Sequence, residues 1–156
     1  MTAMLLSIKP MYARAIFSGE KEYEFRKRRC RTGIDRIVFY SSSPVKLVVG
    51  EAEIERIIEG SPSKVWEIAK YASGITRNAF YDYYHGCHNA VAYKLKNVLV
   101  YKSPKVLADY GIVHAPQSYV YIREIPPREE ELNYELERRC GSAFLAQLGE
   151  HEEDYL

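Results

Sequence analysis

Lys21, Glu24 and Arg26 fall within six residues of one another in the stretch "SGEKEYEFRKR" (18–28). If this stretch is extended, side chains alternate between faces, so Glu22, Glu24, Arg26 and Arg28 share one side and Tyr23, Phe25 and Lys27 the other. A guanidinium held beside a carboxylate can clamp a phosphate or another carboxylate through two parallel N–H donors. The plainer reading is an ion-pair ladder on an exposed strand, worth about 0–1 kcal/mol per pair. Arg26, Lys27, Arg28, Arg29 and Arg31 put five cations into six residues. Such a run suits phosphate contacts, which supply affinity without reading sequence, and equally suits a solvated edge strand kept from aggregating by its charge.

Further polar and aromatic candidates lie elsewhere in the chain. Lys9 ends the first apolar run, next to Pro10. Ser41, Ser42 and Ser43 follow a strongly apolar run and precede Pro44, which also fits turn chemistry. Tyr81, Tyr83, Tyr84 and His85 cluster where aromatic rings stack unpaired bases or pack a helix on its sheet; packing accounts for most of them, with one or two rings left for a cleft. Gln117 and Ser118 precede the last strand. His85, Cys87 and His88 form the tightest His/Cys group, but no second group follows at finger-like spacing, so no metal is expected. Gly86 and Gly111 stand alone, so there is no glycine-rich phosphate loop, and no cofactor is expected.

The elements that must position these residues are short. "MLLSIKP" reads as a strand stopping at Pro10, and "PMYARAIFSGE" as a helix with Pro10 in its first turn and Gly19 as its C-cap. The opening stretch is the second strand, expected beside the first so that Lys9 converges with Lys21, Glu24 and Arg26. "RIVFYSSSP" reads as a strand buried on both faces, and "KLVVGEAEIERIIEG" begins as a strand with a bulge at Gly50. Ser61 and Pro62 open a helix ending at Gly74; a second short helix ends at Gly86; a long strand starts at "NAVAYKL"; "SYVYIREI" closes the series. After Pro126 and Pro127 comes an amphipathic acidic helix with Leu132, Leu136, Cys140, Phe144 and Leu148 along one stripe. Strands alternating with short helices argue for a small α+β barrel of about five to six mostly antiparallel strands, flanked by short helices and extended by a C-terminal helix.

Charge divides at the same place. Residues 1–123 hold 19 Lys and Arg against 11 Asp and Glu, a net +8; residues 124–156 hold 3 against 10, a net −7. A basic body points to an anionic partner. The division is therefore 1–123 as the barrel domain and 124–156 as an acidic helical extension, which folds over the basic body or pairs two chains. No apolar run reaches the roughly 18 residues of a membrane span, the N-terminus lacks a signal-peptide pattern, and three widely spaced cysteines form no disulfide framework. A cytoplasmic protein is expected.

"LLSIKPMYARAIFSGEKEYEFRKR" resembles the start of the ASCH domain, a PUA-like family that opens with a strand, a helix and a G-x-K-x-x-E-x-R signature, here Gly19, Lys21, Glu24 and Arg26. "VFYSSSP", "FYDYYHG", "YKSPKVLADYG" and "PQSYVYI" resemble its later segments, so the similarity covers about residues 4–122. The resemblance implies a β-barrel with a cleft along the second strand, and RNA or nucleotide-like small ligands as partners. Candidate ligand contacts are Lys9, Lys21, Glu24, Arg26, Arg28, Ser41, Ser43, Tyr84, Gln117 and Ser118.

Some members act as ribonucleases, others as amidohydrolases on acylated cytidine, with a Lys, a Thr three residues on and a distant Glu. Lys21 matches the Lys; Glu24 stands where the Thr would be; Glu59 and Glu67 are candidates for the third. If the chain is an enzyme, Lys21 and Glu24 are its catalytic pair, Glu24 as general base on a water and Lys21 holding the developing oxyanion. Binding ranks ahead of catalysis because that set is incomplete.

Overall fold

The structure, a computed structural model, describes residues 2–123 and residue 125. The acidic helix expected over 128–148, and with it any pairing of chains, lies outside the described residues. Six strands form one sheet: β1 (Ala3–Ile8), β2 (Tyr23–Arg26), β3 (Arg36–Ser41), β4 (Leu47–Gly60), β5 (Ala90–Lys105) and β6 (Tyr119–Ile122), in the order β2-β5-β4-β3-β1-β6. Helices α1 (Pro10–Ser18), α2 (Pro62–Ala69) and α3 (Arg77–Tyr83) complete a small α+β fold of the PUA-like type, a sheet curled into a half-barrel. No helix among the described residues is long and apolar enough to cross a membrane.

The expected adjacency of β1 and β2 is not observed. β1 pairs in parallel with β3 and antiparallel with β6, while β2 pairs only with β5, at the opposite edge. The physical reason lies in side-chain alternation. Both β1 and β3 are apolar at consecutive positions and bury both faces: Met4, Leu6, Ile37 and Phe39 on one, Leu5 and Val38 on the other. Such strands belong in a sheet interior. The charged β2 belongs at an edge. Curling of the sheet then brings the β2 edge back toward the end of β1.

The long β4 and β5 make the curl. Their register shifts between Val48 and Gly50, again between Glu51 and Glu53, and again between Ile54 and Arg56, and each irregularity increases local twist. Gly50 sits at the first shift as expected; a Cβ there would run into the Leu99 carbonyl and the Phe17 ring.

Pro10 opens α1, and Gly19, at φ 87°, ends it in the left-handed conformation that glycine tolerates best. Ser61 caps α2 by accepting from the Lys64 N–H, with Pro62 at the first helical position. That helix ends earlier than expected, at Ala69, and continues as a 3-10 turn over Lys70–Ala72. Gly74 lies beyond it, pressed against Lys21. Tyr23 and Phe25 bury one face of β2 against Trp66, Phe80 and Tyr84 from α2, α3 and the residue after α3. That packing commits Glu24 and Arg26 to the other face.

Candidate functional site

The other face of β2 borders a cavity of about 780 Å³, within the size range of small-ligand sites. Its walls come from the end of β1 (Ser7, Ile8, Lys9), α1 (Tyr12), β2 with the residues before it (Lys21, Glu24, Arg26), the turn after β3 (Ser42, Ser43, Lys46), α3 (Asp82, Tyr83) and the segment before β6 (Pro116, Gln117). Four cations and two carboxylates line it among the described residues, which favours an anionic ligand.

Arg26 spans the seam of the half-barrel. Its Nε donates to Glu24 Oε1 at 3.2 Å, its Nη2 to the Ser7 carbonyl at 2.8 Å and its Nη1 to Ser118 Oγ at 3.2 Å; Nη2 also lies 3.0 Å from Glu24 Oε1. One guanidinium thus ties edge strand β2 to the end of β1 and the start of β6, which share no backbone ladder with it.

Lys21 is buried, 3% exposed. Its Nζ donates to the Ser73 carbonyl at 2.8 Å and lies 4.6 Å from the Phe25 ring centre and 5.2 Å from that of Tyr12. Gly74 packs on its stem, which is why the loop after α2 has no side chain at that point. Burial pulls the ammonium pKa down from 10.5 to about 8; the Glu24 carboxylate opposes that shift and Arg26 adds to it. Burial, with Glu24 nearby, raises the Tyr12 hydroxyl, and burial dominates the rise at Tyr83.

Lys9 and Lys46 are exposed, line the cavity and make no ion pair among the described residues. Lys9 is also the N-cap of α1, a helix with no side-chain cap and no acidic residue in its first turn. The positive end of that helix dipole therefore stands uncompensated beside the cavity.

Six of the sequence-derived candidates thus share the wall, Lys9, Lys21, Glu24, Arg26, Ser43 and Gln117, and the first four converge although β1 and β2 are not neighbours. Ser118 reaches the site only through Arg26. Three candidates are placed elsewhere. Ser41 is fully buried on the opposite side of β3 from the cavity-lining Tyr40 and Ser42. Arg28 is exposed on the loop after β2. Tyr84 is a buried pin whose hydroxyl donates to the Arg26 carbonyl at 2.8 Å; the ring that borders the cavity is Tyr83. Helical spacing explains the exchange, since Phe80 and Tyr84 share the packed face and Tyr83 lies a third of a turn away. Glu59 bonds Asn89 and Glu67 pairs with Lys70, and neither lines the cavity. Sequence reasoning missed Tyr12, Lys46 and Asp82. Tyr12 was detectable as a polar-tipped ring in the first turn of a helix that begins at Pro10, beside Lys9.

The family profile described as "Domain of unknown function (DUF365)" matches residues 1–121. The chain belongs to the DUF365 family. This DUF365 chain also has the ASCH fold: the crystal structure of ASCH from Zymomonas mobilis superposes with a TM-score of 0.69 at 29% identity, covering 78% of this chain and 88% of that one. An ASCH domain-containing ribonuclease of Zymomonas mobilis is 33% identical over 94 residues, 60% of this chain and 64% of the relative. Large ribosomal subunit protein uL22 of Ureaplasma parvum serovar 3 is 30% identical over 121 residues, 77% of this chain but 39% of that protein. The DUF365 chain thus spans less than two thirds of both curated relatives.

Proposed function

We propose that this ASCH domain binds RNA by taking one nucleotide unit into the cleft, its phosphate at the rim and its base and sugar over the Tyr12–Lys21–Glu24–Tyr83 floor. The observation that carries the reading is the pair Lys9 and Lys46, without an ion pair among the described residues, beside the uncapped start of α1 at a cleft with surplus positive charge. Ser42, Ser43 and Gln117 supply neutral hydrogen-bonding groups suited to a base edge or a 2′-hydroxyl. The test is fluorescence anisotropy with a labelled single-stranded RNA at low salt, comparing wild type with Lys9→Gln/Lys46→Asn. Asn suits position 46, where φ is 54°. The double variant weakens binding about tenfold or more and flattens the salt dependence by about 1.4 in log–log slope, two single-strand phosphate contacts. Unchanged affinity and slope would remove the cleft from RNA binding.

A second reading rests on Lys21 and on the ribonuclease among the relatives. An amine with pKa about 8, buried beside a carboxylate, can accept a proton from a 2′-hydroxyl near neutral pH as that oxygen attacks the adjacent phosphorus and the P–O5′ bond breaks, the 5′-oxygen leaving with a proton taken from water, while Lys9 and Lys46 offset the developing charge. The base form of Lys21 fills as pH rises, so RNA cleavage climbs up to about pH 8, levels above it and is lost in Lys21→Met. A flat profile, or cleavage that survives Lys21→Met, counts against it.

A further inference from the structure

The loop joining β2 to β3 carries charge that a single nucleotide in the cleft has no use for. Lys27, Arg28, Arg29 and Arg31 are all exposed. The backbone beneath them is fastened down: Cys30 is buried and its N–H donates to the Tyr93 hydroxyl at 2.8 Å, the Arg31 N–H donates to the Tyr121 hydroxyl at 2.9 Å, and Ile34 is in the core. Two of the cations lie over aromatic rings, Lys27 at 4.9 Å from the centre of Tyr83 and Arg31 at 4.1 Å from that of Tyr121. Arg29 has only a 4.0 Å contact to Glu59, and Arg28 has no ion pair among the described residues. Charge that protects a strand edge belongs on the edge strand itself; here the cations follow β2 on a loop whose backbone is held at Cys30, Arg31 and Ile34.

The loop is continuous with the cleft. It starts at Arg26, whose side chain lines the cavity and whose carbonyl is held by the Tyr84 hydroxyl, and its first residue covers Tyr83 on the cavity wall. From Arg26 to Arg31 the chain can span at most about 17 Å, enough to follow a strand beyond the one unit in the cleft. We infer that residues 27–31 are a phosphate track for the flanking nucleotides, so that the ligand is a single-stranded RNA segment and not a free nucleotide. This rests on the cleft reading above but concerns a different surface.

The experiment compares cytidine monophosphate with a labelled twelve-nucleotide single-stranded RNA by titration across salt concentrations. Arg28→Gln/Arg29→Gln changes two exposed side chains. It should weaken the twelve-mer about tenfold at low salt and reduce the log–log salt slope by about 1.4, while leaving cytidine monophosphate binding unchanged. The control, Lys96→Gln/Lys102→Gln, removes two exposed cations of β5 that neither line the cleft nor lie on the loop; its slope should match wild type. The track is overturned if the loop variant leaves twelve-mer affinity and slope unchanged, or if the control lowers both equally, which would mean diffuse attraction only. Should Lys9→Gln/Lys46→Asn lose cytidine monophosphate while the loop variant behaves as wild type, the cleft stands and the track falls. A loop variant impaired with the twelve-mer beside a cleft variant that binds normally leaves the track standing and removes the cleft.

Discussion

Arg26→Met destabilises the domain by about 3–5 kcal/mol, the range for removing one partner of a buried ion pair. The side chains of Arg26 and Glu24 are 13% and 8% exposed, so solvent screens the pair little. Methionine keeps most of the stem's bulk, so the loss isolates the charge. Glu24 is then left in the cleft floor without its closest cation, and the Ser7 carbonyl and Ser118 hydroxyl lose the donor that tied them to β2. Against a typical total stability of about 5–15 kcal/mol this is a large fraction. Urea denaturation followed by circular dichroism measures it. The companion variant Glu24→Gln/Arg26→Met recovers at least half the loss, because the uncompensated carboxylate is gone. A single-variant loss below about 1 kcal/mol would place the pair with ordinary surface salt bridges and deny Arg26 its role in closing the half-barrel.

Lys21 has the opposite energetic character. Its pKa of about 8 in the folded chain, against 10.5, means that the protonated form is disfavoured by folding by about 3 kcal/mol. At pH 7 the amine is protonated in both states and the full penalty is present. Between pH 8 and 10.5 the unfolded chain holds more protons than the folded one, so stability rises with pH across that window. Wild type therefore gains about 3 kcal/mol relative to Lys21→Met between pH 7 and pH 10.5. Comparing the two removes the contribution of every other titrating group that they share. Denaturation midpoints of both proteins at pH 7, 8, 9 and 10 report it, and a difference that stays constant across the series would show that Lys21 is not a desolvated ammonium. A residue kept in a form that opposes folding, on the wall of the cleft, is the pattern expected where a tuned amine serves a ligand or a reaction.

How much of this was legible beforehand varies by residue. Pro10 and Gly19, and Ser61 with Pro62, mark helix boundaries through local backbone chemistry, and the structure places α1 and the start of α2 there. The consecutive apolar residues of β3 report burial on both faces, and the alternation in β2 reports which side chains pack and which line the cavity. Gly50 announces the bulge because nothing larger fits. The early stop of α2 was not legible, since Lys70 to Ser73 carry no strong breaker and the contact that matters, Gly74 on Lys21, joins residues 53 positions apart. The exchange of Tyr84 for Tyr83 has the same origin: both are tyrosines on one helix end, and only the direction of the sheet decides which is buried.

By itself, then, the sequence determined the order of strands and helices along the chain, the two-faced burial of β3, the polar face of β2 and the surplus of positive charge in residues 1–123. These are local or additive properties. Strand order, the curl that carries Arg26 across to Ser7 and Ser118, the burial of Lys21 beneath Gly74 and the convergence of Lys9 and Lys46 on one cavity were decided only by the tertiary structure. The reason is physical: a pKa, a seam or a charge surplus at a site depends on groups distant in the chain, and those distances are set when the whole sheet closes around its core.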